Sequence, residues 1–215
     1  MSNLNLSRSE AIRLHREMWN WIADELEKIA SGVRGHYEVY ELKEEFCREN
    51  GFDDIPHYCF CCEYDDNRYL QINKENNLPI SDCFFCPIKW GTENNNLDSH
   101  FCCDEQRDDN NGLWLLCQEC TEQEVNDYFK ASQYAKQIAE LPERDVNADF
   151  AALIAEDRGI LDYKLKGNRM IYYTNWKETQ DKDVTYKVTI RLDTLKEERQ
   201  KLNRYYEKGN INGCL

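Results

Sequence analysis

Ala11, His15, Met18, Ile22, Leu26 and Ile29 follow one another at steps of three and four residues, with Trp19 beside them. That period places them along one side of a helix. Ser7 and Glu10 stand ahead of the stripe as a capping box, and Ser31-Gly32 ends it. A second helix is expected over residues 38–49, with Val39, Leu42 and Phe46 inward and Gly51 as its C-terminal cap. Residues 52–120 break the pattern. They are rich in Asn, Asp and Cys and show little periodicity. A structureless stretch of that length is unusual in a compact domain, so something other than an apolar core is expected to organise it.

Periodicity resumes at Thr121. Thr121 and Glu124 read as a second capping box that opens a helix to about Leu141, with Val125, Phe129, Ala135 and Ile138 on one side. Asn147 is expected to cap a short helix over residues 148–157, closed by Gly159. Residues 160–166 are turned by Gly167-Asn168 into residues 169–175, and residues 184–192 alternate with period two. These predict a three-stranded antiparallel meander. Thr194 and Glu197 form a third capping box, expected to start a final helix to about Tyr206. The fold class is therefore α+β, with a helical module followed by a small α-β-β-β-α antiparallel module.

Charge divides the chain at the same place. The 215 residues carry a formal net charge of -14. Residues 1–142 hold 13 Lys+Arg and 28 Asp+Glu, a net −15, whereas residues 143–215 hold 14 and 13, a net +1. Ten of the 11 cysteines also precede Pro142. We expect an acidic, cysteine-rich module over 1–142, a small α+β module over 143–215, and a linker at about 141–148. The acidity argues against a broad grip on nucleic acid, which needs clustered Lys and Arg. No apolar run approaches a membrane span, and the N-terminal residues do not read as a signal peptide. A cytoplasmic location is expected, and in a reducing cytosol paired cysteines point to metal or redox chemistry before disulfides.

Cys59-Phe-Cys-Cys62 and Cys83-Phe-Phe-Cys86 are C-x-x-C pairs separated by 20 residues. Each pair can present two thiolates at one corner of a tetrahedron, and two pairs close a structural Zn²⁺ site. Cys59, Cys62, Cys83 and Cys86 are the expected ligands, so the first module is a zinc-knuckle module; a register that uses Cys61 stays open. Cys117-Gln-Glu-Cys120 is a third pair, with His100, Cys102 and Cys103 standing 14 to 17 residues before it. Cys102, Cys117 and Cys120 could belong to a second zinc site, or be packed core thiols. Redox chemistry is disfavoured because no βαβ pattern surrounds any C-x-x-C. A catalytic zinc is disfavoured because neither H-E-x-x-H nor the deaminase H-x-E signature occurs among the four histidines, His15, His36, His57 and His100. His15 lies on the apolar stripe and reads as a packed core histidine. His57 reads equally as a ligand, a donor to a ligand, or a loop residue. In the second module, Lys164, Lys166, Arg169, Lys187 and Arg191 with Tyr163, Tyr172, Tyr173 and Trp176 could stack on single strands. An ordinary sheet surface is the favoured reading, because the module's net charge is only +1.

Residues 10–23, Cys59-Phe-Cys-Cys-Glu-Tyr64, Cys83-Phe-Phe-Cys-Pro-Ile-Lys-Trp90 and residues 135–142 together resemble cysteine-rich zinc-knuckle proteins of Firmicutes phages and prophages. Residues 163–174, 186–194 and 208–212 are similar to small phage-encoded proteins. The Cys117/Cys120 pair is outside that pattern. The resemblance implies phage origin and zinc but names no reaction. Acidic phage accessory proteins include inhibitors of host defence, and an anti-CRISPR inhibitor, most plausibly of Cas9, is the function it implies. The physical basis is charge: a guided nuclease holds its substrate in basic channels that an acidic surface can occupy. The expected contact residues are Asp53, Asp54, Asp65, Asp66, Asp104, Glu105, Asp108 and Asp109, facing a host protein with a basic surface. The expected role is non-enzymatic. The alternatives are a zinc-knuckle nuclease that depends on His57 or His100, and an accessory factor that binds host polymerase.

Overall fold

The computed structural model describes residues 4–52, 59–76, 83–90, 112–122, 125–179 and 182–202. The chain forms two compact units, Met1–Arg144 and Asp145–Leu215. The elements are α1 (Arg8–Ala30), α2 (Val39–Glu49), α3 (Phe60–Asn76), α4 (Leu113–Thr121), α5 (Tyr128–Ala139), α6 (Val146–Asp157), β1 (Lys164–Lys166), β2 (Arg169–Thr179), β3 (Lys182–Arg191) and β4 (Glu197–Lys201). Helices and an antiparallel sheet together make the protein α+β, as the periodicity predicts. Among the described residues no helix is long and apolar enough to cross a membrane.

In the first unit α1 is the organising helix. Its capping box forms as expected: Glu10 accepts from the Ser7 backbone N–H at 2.9 Å, and Ser7 Oγ accepts from the Glu10 N–H at 3.3 Å. Its stripe packs against α2, α4 and α5, with Trp19 edge-on to Trp114 at 5.5 Å. Ala131, Ala135 and Ala139 line the facing side of α5, and such small side chains let two helices approach closely. Each large side chain buried here, such as Met18, Ile22 or Leu26, contributes about 2 kcal/mol. α2 buries Val39, Leu42 and Phe46 as predicted, and Gly51 follows it with φ of 76°. Lys43 is buried on α2 with its ammonium 4.2 Å from the centre of the Trp114 ring, which replaces part of its lost hydration.

Several sequence expectations are corrected. Residues 52–120 contain two helices, α3 and α4. The buried face of α3 is Phe60, Cys61, Glu63, Asp65 and Ile72, so polar side chains stand where an apolar stripe would signal a helix. Thr121 ends α4 rather than capping α5. Its hydroxyl donates to the Gln118 carbonyl at 2.9 Å and accepts from the Val39 N–H at 3.2 Å, so it is spent on α4 and on the start of α2. Asp127 caps α5 instead, and Val125 and Phe129, expected inward, are exposed. Asp145, not Asn147, caps α6, which starts two residues early.

The second unit carries a four-stranded sheet in the order β1-β2-β3-β4, all antiparallel. Gly167, with φ of 60°, and Asn168 turn β1 into β2 as expected. Met170 pairs with Ile190 and both are fully buried. The expected last helix is a strand between residues 197 and 201. Leu192 donates to the Asn168 carbonyl, Arg191 donates to the Lys196 carbonyl, and Leu195 takes φ of 52°, so residues 192–196 turn back along β3. Thr194 Oγ1 accepts from the Lys196 N–H at 3.4 Å, which pre-empts the helical cap. β4 is a polar edge, mostly exposed, as protected sheet edges are. Arg158 ties the end of α6 to it through Glu197 at 3.0 Å.

One ion-pair cluster holds α1 to α2. Arg34 bonds Glu25 at 2.5 Å and also bonds Glu45, while Lys28 bonds Glu25 at 2.5 Å. Burial raises the Glu25 pKa, but the hydrogen bonds from Lys28 and Arg34 outweigh it and leave the carboxyl below its usual range. A group depressed in this way stabilises the fold above its unfolded pKa, and the contribution is lost as pH falls through its folded value. Arg34→Gln should therefore cost about 3 kcal/mol at pH 7. Urea unfolding at a series of pH values should show the gap to the parent narrowing below about pH 4.

Candidate metal centre

Both knuckles of the predicted zinc site lie in one region of the first unit. Cys59, Cys61 and Cys86 are buried together with Ile12 of α1 and Ile88, and Cys62, Cys83, Trp90 and Leu141 pack against them. Among the described residues no cysteine forms a disulfide. Cys59 and Cys62 bracket the first turn of α3, where the Glu63 N–H bonds the Cys59 carbonyl at 3.0 Å. Cys61 lies inside the same buried cluster, with its sulfur 3.9 Å from the Ala11 carbonyl, while Cys62 packs against the cluster, so the register that uses Cys61 stays open.

The second knuckle is a tight turn. Cys83 has φ of 61°, and the Cys86 N–H bonds its carbonyl at 3.1 Å. Two neighbours hold this turn. Asp65 of α3 accepts from the Cys83 N–H at 3.1 Å and from the Phe85 N–H at 2.5 Å. Arg144 donates to the Phe84 carbonyl at 2.6 Å. Behind the turn, residues 87–89 pair with residues 142–144: the Lys89 N–H bonds the Pro142 carbonyl and the Arg144 N–H bonds the Pro87 carbonyl, each at 2.9 Å. Arg8 of α1 fixes the same strip through Glu143 at 2.9 Å and the Arg144 carbonyl at 3.0 Å.

The thiols are not equivalent. The Cys59 thiol is held well below its usual range. A hydrogen bond from Cys62 is the largest cause and outweighs burial; the His15 ring and the Lys43 ammonium add to it. This is the electrostatic setting of a thiolate, the form that binds metal. Cys117 is the opposite case. It is buried in the main core, donates to the Ala131 carbonyl at 3.3 Å, and is pushed up by burial first and by Cys120 second. Burial raises Cys120 also. The third C-x-x-C thus sits apart from the cluster as a pair of packed thiols; its suggested partners His100, Cys102 and Cys103 lie outside the described residues, as does His57.

Asp65 requires a correction. It was expected on a contact surface, but it is 5 % exposed and faces the knuckle. Burial pushes its carboxyl up to about 7, with Asp66 adding to the rise and the Phe85 and Cys83 N–H groups opposing it. Asp66 is exposed. The other expected contact residues, Asp53, Asp54, Asp104, Glu105, Asp108 and Asp109, lie outside the described residues.

Among the described residues, no group of three or more His, Cys, Asp or Glu side chains is gathered closely enough to hold a metal ion as it stands. The donor type fits Zn²⁺, which takes thiolate sulfur: Cys59 and Cys86 are buried in one cluster, and Cys62 and Cys83 pack against it. No protein-family model, curated protein or solved structure matches the chain.

The acceptor role of Asp65 is testable. Asp65→Asn swaps one acceptor oxygen for an N–H donor that faces a backbone N–H. The variant should lose about 2 kcal/mol in urea unfolding. Cys83 should also react faster with a thiol reagent than in the parent. Unchanged labelling would mean that the turn holds without Asp65.

Proposed function

We propose that this chain is a non-catalytic, zinc-stabilised acidic protein of the anti-defence kind, which binds a basic channel of a CRISPR nuclease, most plausibly Cas9, and blocks its loading or use of nucleic acid. Zinc acts as a scaffold on Cys59, Cys62, Cys83 and Cys86. The observation that carries the scaffold role is the gathering of both C-x-x-C pairs into one buried region built on α1 and α3. Structural zinc in such a site supplies folding energy, roughly 10 kcal/mol in small zinc domains.

Charge carries the binding role. The net −15 of residues 1–142 is displayed in part on the described surface, where Asp24, Glu38, Glu41, Glu49 and Asp66 are exposed. The remaining expected contacts, Asp53, Asp54, Asp104, Glu105, Asp108 and Asp109, belong to the same acidic stretch of sequence. An acidic, rigid surface is complementary to a channel that tracks a nucleic-acid backbone.

Two measurements test this. Chelation, or the double substitution Cys59→Ser with Cys62→Ser, should lower the melting temperature of the first unit; a metal-free preparation with an unchanged melting curve would show that zinc is no scaffold. Purified Cas9 with and without its guide RNA should bind the chain, and DNA cleavage should fall as the chain is added. The affinity should drop about tenfold or more between low and high salt, because contacts between exposed charges are screened. Full cleavage at saturating chain, with no binding at low salt, would end the anti-CRISPR reading.

A further inference from the structure

The strand register sorts the basic residues of the second unit. Residues paired directly across an antiparallel sheet point to the same face, and residues two apart along a strand share it. Met170 pairs with Ile190 and Tyr172 with Val188, and Met170, Val188 and Ile190 are buried, so these pairs mark the apolar face. Arg158, just past α6, reaches Glu197 on that face, where Glu197 pairs with Ile190. The opposite face is cationic. Lys166 pairs with Arg169, Arg169 pairs with Arg191, and all three are exposed. Exposed Lys196 continues the row, because the Arg191 N–H bonds its carbonyl at 3.0 Å. Adjacent strands lie about 4.8 Å apart, so this line of cations runs about 14 Å across the sheet.

Like charges set opposite one another destabilise a sheet. Asp193 relieves the row at Arg191, through hydrogen bonds of 3.1 and 2.7 Å. Further along the same face Ile171 stands between Lys164 and Thr189, and Tyr173 stands opposite Lys187. Glu198, opposite Thr189, is the second carboxylate on this part of the face. Ile171 and Tyr173 are half-buried on the central strand β2, with cations on both sides of them. Thr185, opposite Asn175 at the far end, is buried, so the open part of the face runs from the Gly167-Asn168 turn to Tyr173. The net +1 of residues 143–215 conceals this face, because other acids of the unit, such as Glu156 and Asp157, stand on α6.

We propose that this face binds single-stranded nucleic acid, with the row of cations, Lys164 and Lys187 holding phosphates and Tyr173 stacking on an unpaired base. The occupant follows from charge and shape. A polyanion is the complement of a line of cations that repel one another in its absence. A flat strand surface that carries an aromatic ring among cations suits a strand whose bases are free to stack, and the bases of a duplex are not. The chain as a whole, at a net −14, repels nucleic acid, so binding at low salt has to come from a local face. This inference depends on neither the zinc nor the anti-defence reading, and it gives the chain a second binding end.

The experiment measures fluorescence anisotropy of labelled oligo(U) and oligo(dT), each of about 12 nucleotides, with the full chain. Either strand should bind, and affinity should fall about 50-fold between about 50 and about 200 mM salt if roughly four phosphates are held. Arg169→Ala and Lys187→Ala should each weaken binding and flatten the salt dependence by one phosphate's share. Tyr173→Leu should weaken it about tenfold and leave the salt slope unchanged, since stacking releases no counterion. Arg199 pairs with Val188 on the other face, so Arg199→Ala should leave the affinity as it is. Should Tyr173→Leu fail to fold, NMR of the unaltered chain decides: either oligomer should shift the amides of residues 169–173 and 187–191 and leave those of α1 in place. No binding at low salt overturns the inference. So does binding that survives both Arg169→Ala and Lys187→Ala, or that Arg199→Ala weakens as much as they do. A duplex that binds more tightly than either strand would remove the stacking role and overturn it as well. Self-association of the chain at low salt, without oligomer binding, would assign the face to the acidic surface of a second copy instead.

Discussion

α1 has to bury two different surfaces at once. Along most of its length Leu14, Met18, Trp19, Ile22 and Leu26 meet α2, α4 and α5 in the main core. At its N-terminal end Ile12 meets the cysteines of α3 and of the second knuckle. Trp90 and Leu141 touch both surfaces, and His15 lies beside Trp90. The rest of the first unit is arranged around that double demand. α5 must lie close, which its alanines permit; α3 must present its first turn to Ile12; and residues 142–144 must return past residues 87–89 to close the side. A substitution at the seam would reach the core and the cysteine region together, whereas one at Ile29 would reach only the core.

The same C-x-x-C spacing has two physical outcomes here. On α3 the pair stands at a helix N-terminus beside a histidine and a lysine, and one sulfur is driven toward the thiolate. On α4 the pair sits in the last turn among apolar side chains, and both sulfurs are held as thiols. The difference comes from electrostatics and burial, which local spacing does not encode. Spacing alone therefore treats Cys117 and Cys120 as the equals of Cys59 and Cys62, and only the packing separates them.

What was legible in the sequence were the features that repeat. The stripe of α1, the inward face of α2 and the Gly167-Asn168 hairpin follow from period and turn chemistry, and each forms where expected. What was not legible depended on partners far along the chain. α3 hides because Glu63 and Asp65 occupy its buried face. Thr121 matches a capping box by pattern, yet its hydroxyl is claimed by Gln118 and by Val39 from 82 residues away. The residues after Thr194 match another, yet the open edge of β3 takes them as a strand. At the candidate centre the cysteines were visible and their supports were not. Asp65 was placed on the surface by its charge, and Arg144 carried no signal.

Buried acids also change what the net charge means. The count over residues 1–142 treats each carboxyl as an equal contribution to an outer field. Glu25 is spent internally on Lys28 and Arg34, and Glu63 and Asp65 are buried on α3. With its pKa pushed up to about 7, Asp65 carries a proton for part of the time near neutrality. The outward field of the first unit is therefore weaker than its formal −15, and the exposed acids Asp24, Glu38, Glu41, Glu49 and Asp66 contribute to it. Interior acids thus hold the cysteine region together and exterior acids face solvent, and the two kinds stand next to each other in the chain, as Asp65 and Asp66 do.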